Sequence, residues 1–174
     1  MVTNGTEIER KFLVNEALLP ADLSQYPQKQ IMQGYLSFEP EVRIRAAKQD
    51  GVTKYYLTKK GEGTLAREED EKAISAEEFN QKLARIGEDS FIRKTRYDIP
   101  IDNGLTAELD FFHNSNLKDY AGPHTGMHKT VEVEFLNQDD ANNFIYPDWF
   151  GREVTNDKAY SNKNLAKALF QKQK

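Results

Sequence analysis

The chain has 174 residues, of which 30% are charged and 38% hydrophobic, with a net charge of −4 and no cysteine. That length suits one domain over 1–174 with a real core, and the missing cysteines exclude disulfides and thiolate metal sites. The acidic balance argues against a general nucleic-acid binder. Met1 to Thr6 is polar and no apolar run reaches membrane-spanning length, so a cytoplasmic protein with no membrane partner is expected.

In chain order, strands are predicted near 7–14, 29–38, 41–49, 52–60, 65–74, 91–100, 105–113 and 129–136. Asp50-Gly51 and Asn103-Gly104 read as hairpin turns between neighbouring strands. Ser75-Ala76-Glu77-Glu78 opens a helix that Gly87 ends. A short helix starts near Asp139 or Asp140 and stops by Pro147, and Asn162 to Gln171 forms a last helix striped by Leu165, Ala166, Leu169 and Phe170.

Side chains alternate between the faces of a strand, and on that parity like charges recur in pairs. Glu7, Glu9 and Lys11 share a face, as do Arg43 with Arg45, Arg67 with Glu69 and Glu71, Lys94 with Arg96, Glu108 with Asp110, and Glu132 with Glu134. Thr58 and Lys60 end a fourth strand on one parity. Like charges on one strand face repel. A cation for the acidic pairs and a polyanion for the basic pairs would supply the missing reason. Ile8, Val42, Ile44, Leu109, Phe111, Val131, Val133 and Phe135 supply apolar surface that needs cover. The expected architecture is α+β: an eight-stranded antiparallel closed barrel with a wet, charged lumen and helices packed on the outside.

The order of motifs resembles the CYTH superfamily, the triphosphate tunnel metalloenzymes. Glu7-Ile8-Glu9-Arg10-Lys11-Phe12-Leu13-Val14 looks like its opening signature. Gln33-Gly34-Tyr35-Leu36, Val42-Arg43-Ile44-Arg45, Thr58-Lys59-Lys60-Gly61, Arg67-Glu68-Glu69-Asp70-Glu71, Lys94-Thr95-Arg96-Tyr97, Ala107-Glu108-Leu109-Asp110, Val131-Glu132-Val133-Glu134 and Gly151-Arg152-Glu153-Val154-Thr155 follow in register. The resemblance implies a metal-dependent hydrolase of linear triphosphates, tripolyphosphate above all, that releases pyrophosphate and phosphate. It assigns Mg²⁺ or Mn²⁺ to Glu7, Glu9, Glu132 and Glu134, and phosphate binding to Lys11, Arg43, Arg45, Lys60, Arg67, Lys94 and Arg96. Lys11, Glu69, Glu71, Glu108 and Asp110 are the catalytic candidates, the four acids binding a second metal, positioning water or balancing the bases. The partner is thus a small polyanion, tripolyphosphate or a nucleoside triphosphate, and there is room for a homodimer. Arginines packed against each other are expected to strain the ligand-free protein, so that Arg43→Ala or Arg96→Ala leaves its stability unchanged or raised.

Other readings stay open. A class IV-type adenylyl cyclase shares the charge pattern, thiamine and RNA 5′-triphosphatases are close in chemistry, and a polyphosphate or nucleotide sensor would keep the basic rows without catalysis. Ala159 stands where family members often carry a basic residue, which puts a C-terminal phosphate contact in doubt. Asn114 to Met127 reads as an exposed loop; His124 and His128 have the spacing of a helical metal pair, but Gly122, Pro123 and Gly126 oppose a helix. His113 is expected to be structural or solvent-facing, and Trp149 and Phe150 to pack rather than stack on a base. Tyr56 is expected to be the one aromatic that reaches the charged face among these motifs.

Overall fold

The computed structural model describes residues 2–87, 90–114 and 129–171. Its strands are β1 (Val2–Val14), β2 (Gln28–Ser37), β3 (Glu41–Gln49), β4 (Val52–Lys60), β5 (Ala66–Ile74), β6 (Ile92–Pro100), β7 (Thr106–Phe112), β8 (Lys129–Glu134) and β9 (Phe150–Glu153). Three helices join them: α1 (Ala76–Ile86), α2 (Gln138–Asn143) and α3 (Asn162–Gln171). The sheet runs β5-β4-β3-β2-β6-β7-β8-β1-β9, and a further β5–β1 pairing closes eight of the strands into a barrel. Every pairing is antiparallel.

Local chemistry explains most of the boundaries. Asp50 and Gly51 turn with φ of 51° and 79°, and Asn103 and Gly104 with φ of 63° and 70°, the left-handed geometry that tight hairpins need. The Ser75 hydroxyl accepts from Glu78 N–H at 3.0 Å to cap α1, and Gly87 ends it at φ 85°. β1 starts five residues earlier than its polar opening suggests, because Val2 to Ile8 pairs along β5 from Lys72 to Ala66. Pairing, not hydrophobicity, sets that end. β9 was not expected at all; it is four residues long and pairs with the far end of β1.

Residues directly opposite each other on paired strands point to one face, and the registers close consistently around the barrel. Glu7 lies opposite Arg67, Lys60 opposite Glu69, Thr58 opposite Glu71 and Arg43 opposite Thr58. The same face continues through Tyr35, an aromatic not expected there besides Tyr56, and through Gln33, Ile92, Lys94, Phe112, Arg96, Asp110, Glu108, Glu132 and Lys11. This is the lumen. The other parity is the apolar exterior, covered in two places. α1 brings Phe79, Leu83 and Ile86 onto Ile44, Ala46 and Leu57. α2 and the chain after it bring Ala141, Phe144, Trp149 and Phe150 onto Phe12, Leu109, Val131 and Val133, so Trp149 and Phe150 are packing residues as expected.

α3 has a different seat. Leu165, Ala166 and Leu169 pack with Tyr35, Ile92 and Phe112, which are lumen-parity residues at one end of the barrel. The helix therefore stops part of that end. The Phe170 side chain and the segment holding His124 and His128 lie outside the described residues. His113 is exposed, with its Nε2 2.7 Å from Thr95 Oγ1 on the outer wall.

One exterior side chain ties the late elements to β1. Arg10 donates Nε and Nη2 to the two Glu153 carboxylate oxygens at 2.7 Å each, and Nη1 to the Ala141 carbonyl at 2.8 Å. Its guanidinium also lies over the Phe12 ring, 5.3 Å from the centroid. A forked, charge-assisted contact of this kind is among the stronger polar interactions. Arg10→Ala is expected to lower the urea unfolding midpoint by an amount equivalent to about 1–3 kcal/mol. An unmoved midpoint would show that the clamp is idle.

Candidate active site

The lumen gathers every site residue expected from the sequence, on two facing walls. On the β3–β5 wall, Lys60 Nζ lies 2.7 Å from Glu7 Oε2 and 2.8 Å from Glu69 Oε2. Arg67 reaches Glu7 at 3.3 Å and Glu9 at 3.9 Å. Arg45 and Arg43 both turn to Glu71, at 3.1 and 3.8 Å, and Thr58 Oγ1 donates to the same carboxylate at 2.8 Å. Arg45 also lies over the Tyr56 ring, 5.2 Å from its centroid. On the β6–β8 wall, Arg96 holds both Asp110 oxygens, at 2.7 and 2.8 Å, and contacts Glu108. Lys94 reaches Asp110 at 2.6 Å, while Lys11 and Arg96 each stand 3.6 Å from Glu132 Oε1.

These pairings correct the expected strain. The rows are of one sign along a strand, but a row of the other sign lies across the ladder, so each base already has an acid. Asp110, fully buried, is neutralised by Lys94 and Arg96 together. Removing Arg96 would leave a buried carboxylate short of charge, which costs stability. What the bases lack is a full set of acceptors. The Nε–H groups of Arg43 and Arg45 are buried without a hydrogen-bond partner, an arrangement that costs free energy until an acceptor arrives. Phosphate oxygens are suitable acceptors for guanidinium donors.

The carboxyl groups divide by environment. Burial pushes Glu9 up to about 8, with Glu132 and Glu7 adding to the effect. Burial acts on Glu132 in the same sense, but Lys11, Arg96 and Lys94 outweigh it and hold that carboxylate well below its ordinary range. The two side chains hydrogen-bond to each other, so a protonated Glu9 donates to an ionised Glu132. Glu134 sits at the open rim and is raised by burial and by Glu7, Glu108 and Glu69. Burial opposes ionisation of Glu7 as well, yet Lys60 and Arg67 keep it below the usual value.

Among the described residues no three acidic or imidazole side chains form a ready-made cation site. The chemistry of the donors nevertheless fits a hard divalent ion. Glu132 Oε1 is buried with no hydrogen-bond partner, and Glu9 beside it carries a proton that a cation would displace. Mg²⁺ needs only one or two carboxylates because it keeps several waters.

Beside α3 the lumen opens through a cleft of about 580 Å³, lined by Lys11, Arg43, Lys60 and Arg67 within and by Lys158 and Lys163 outside. Glu41, absent from the expected set, is 6% exposed on the lumen face, 3.5 Å from Arg67. Its parity with Arg43 and Arg45 was the available signal. Ala159 packs against the apolar cluster under α3, so that position offers no charge to the lumen.

A closed antiparallel barrel whose lumen is lined by opposed rows of Arg, Lys and Glu defines a tunnel protein built for a small polyanion. No family model matches the chain. It is 42% identical over 165 residues to an inorganic triphosphatase of Nitrosomonas europaea, spanning 94% of this chain and 99% of that one. It is 34% identical to an inorganic triphosphatase of Acetivibrio thermocellus, spanning 94% of both. The crystal structure of an inorganic triphosphatase, 38% identical and covering 95% of each chain, superposes with a TM-score of 0.58. A Pyrococcus horikoshii protein at 19% identity and TM-score 0.55 shares the fold. The chain belongs to the inorganic triphosphatase family. Among the described residues no helix is long and apolar enough to cross a membrane.

Proposed function

We propose that this protein hydrolyses inorganic tripolyphosphate to pyrophosphate and phosphate with the help of Mg²⁺ or Mn²⁺. The observation that carries the reading is the double wall of buried and half-buried Arg and Lys side chains, two of them with buried, unpartnered Nε–H groups, around paired carboxylates. Relatives named inorganic triphosphatases that match over nearly the whole chain support it. Arg43, Arg45, Lys60 and Arg67 grip the anion from one wall, and Lys11, Lys94 and Arg96 from the other. Guanidinium groups held in place by Glu71 and Asp110 need little rearrangement as charge shifts towards the leaving phosphate, which is how preorganised donors lower a barrier. Glu9 and Glu132, flanked by Glu7 and Glu134, would hold the metal, which when bound supplies a Lewis acid for the phosphoryl oxygens.

The remaining acids have separable roles. Asp110 is held low despite its burial by Arg96 and Lys94, so it serves as their counter-charge. Glu108 is raised by burial, against the pull of Arg96, and its side chain stays 32% exposed. That environment suits a group that takes a proton from an attacking water. Glu69 and Glu71 orient Lys60 and Arg45.

The lumen walls offer few groups for a base or sugar, so tripolyphosphate is expected to show the higher kcat/KM in a side-by-side assay with ATP and either metal. ATP, where used, should give ADP or AMP. Cyclic AMP as the main product would replace this reading with a cyclase. Tight binding without cleavage of any triphosphate would replace it with a sensor.

A further inference from the structure

We propose that Lys163, in the first turn of α3, is a phosphate-binding residue that contacts the outer end of a linear polyphosphate at the tunnel mouth. The inference rests on the triphosphate reading above and extends it to a residue outside the barrel strands.

Lys163 lines the same cleft as Lys11, Arg43, Lys60 and Arg67. Its position is fixed, because Leu165, Ala166 and Leu169 bury α3 against the barrel end. Its ammonium is weakly committed. The nearer partner, Glu39 at 3.0 Å, has a side chain 68% exposed, and an ion pair so open to water contributes little. The farther partner, Glu41 at 3.9 Å, already faces Arg67 at 3.5 Å. The deeper bases differ, since Lys60 has two carboxylates within 2.8 Å and Arg96 grips Asp110 with two nitrogens. Lys163 itself is only 25% exposed, whereas Lys158 on the same rim is open to solvent. A chain of linked phosphates seated among Lys11, Lys60 and Arg67 leaves the lumen past Lys163, which can drop Glu39 and take the terminal phosphate. A single phosphate held by the inner bases has no such outer end.

The test is calorimetric binding without divalent metal, so that it does not depend on turnover, using tripolyphosphate and orthophosphate as probes. Lys163→Gln should weaken tripolyphosphate about tenfold or more, the worth of one charge-assisted contact, and change orthophosphate little. Lys163→Arg should restore most of the loss. Glu39→Gln should tighten tripolyphosphate in the parent by freeing Lys163, and have no such effect when combined with Lys163→Gln. Unchanged tripolyphosphate affinity in Lys163→Gln would overturn the proposal. Equal losses for both probes, or equal tightening by Glu39→Gln in both backgrounds, would also overturn it, since either marks a general field effect. Should Lys163→Gln loosen α3 and lower the melting temperature, Lys163→Arg and Glu39→Gln in the intact fold decide the matter. Binding of tripolyphosphate by the parent with no hydrolysis once Mg²⁺ or Mn²⁺ is added would sink the catalytic reading and leave this contact standing; no binding by the parent with or without metal would sink both.

Discussion

Arg96→Met should reduce kcat/KM for tripolyphosphate by about 10²–10³-fold, the usual effect of removing a preorganised donor from developing charge. The ligand-free variant should also lose about 2–4 kcal/mol of stability, somewhat below the range for breaking a buried pair, because Lys94 still reaches Asp110. The two losses have different origins and can be separated. Arg96→Lys keeps the charge near Asp110 but loses the fork that holds both of its oxygens. It is expected to recover most of the stability, read by urea denaturation, and little of the activity. A ligand-free Arg96→Met as stable as the parent would mean that Asp110 is not held as the geometry implies.

The second large effect concerns the carboxylates. Glu9→Gln and Glu132→Gln should each cut turnover by about 10²-fold or more at limiting Mg²⁺ or Mn²⁺, because each removes a hard anionic oxygen donor that glutamine replaces poorly. Excess metal should rescue part of the loss. Glu134→Gln, at the open rim, should act in the same direction with a smaller effect. Stability of the ligand-free protein should hold or improve in Glu9→Gln, since burial beside Glu132 already disfavours the charge that the substitution removes. Circular dichroism with activity titrated against metal would check both statements; near-normal activity at limiting metal in both Glu9→Gln and Glu132→Gln would remove these residues from the metal site.

Much of this site could be read from strand parity. The lumen face is a strict alternation, and Arg43, Arg45, Lys60, Lys94, Arg96, Glu132 and Glu134 were all on the side where the registers put them. Turn chemistry at Asp50-Gly51 and Asn103-Gly104 fixed two hairpins independently of any charge. Parity says which way a side chain points but not what stands opposite it. That is why the rows looked unopposed and the expected strain was wrong: Glu71 finds Arg43 and Arg45 from a strand two places away in the sheet. β9 escaped because four residues carry too short a pattern, and the first third of β1 because its polar sequence shows no apolar alternation. The seat of α3 had a trace in the sequence. Leu13, Tyr35, Ile92 and Phe112 are apolar residues on the charged parity, and they cluster at one end of the barrel under that helix.

β1 pairs with β5, β8 and β9, and this has a consequence for assembly. β1 cannot be completed until β9 is available, and the Arg10–Glu153 contact between them spans 143 residues. Folds dominated by such distant contacts close slowly. Until β1 docks, β5 and β8 are open edges, each able to capture a strand from another chain. Glu69, Asp70 and Glu71 crowd one of those edges and Glu132 and Glu134 the other. The carboxylates that face the Lys and Arg rows in the finished tunnel would thus also repel copies of themselves while it is unfinished, the way charged edges oppose strand capture.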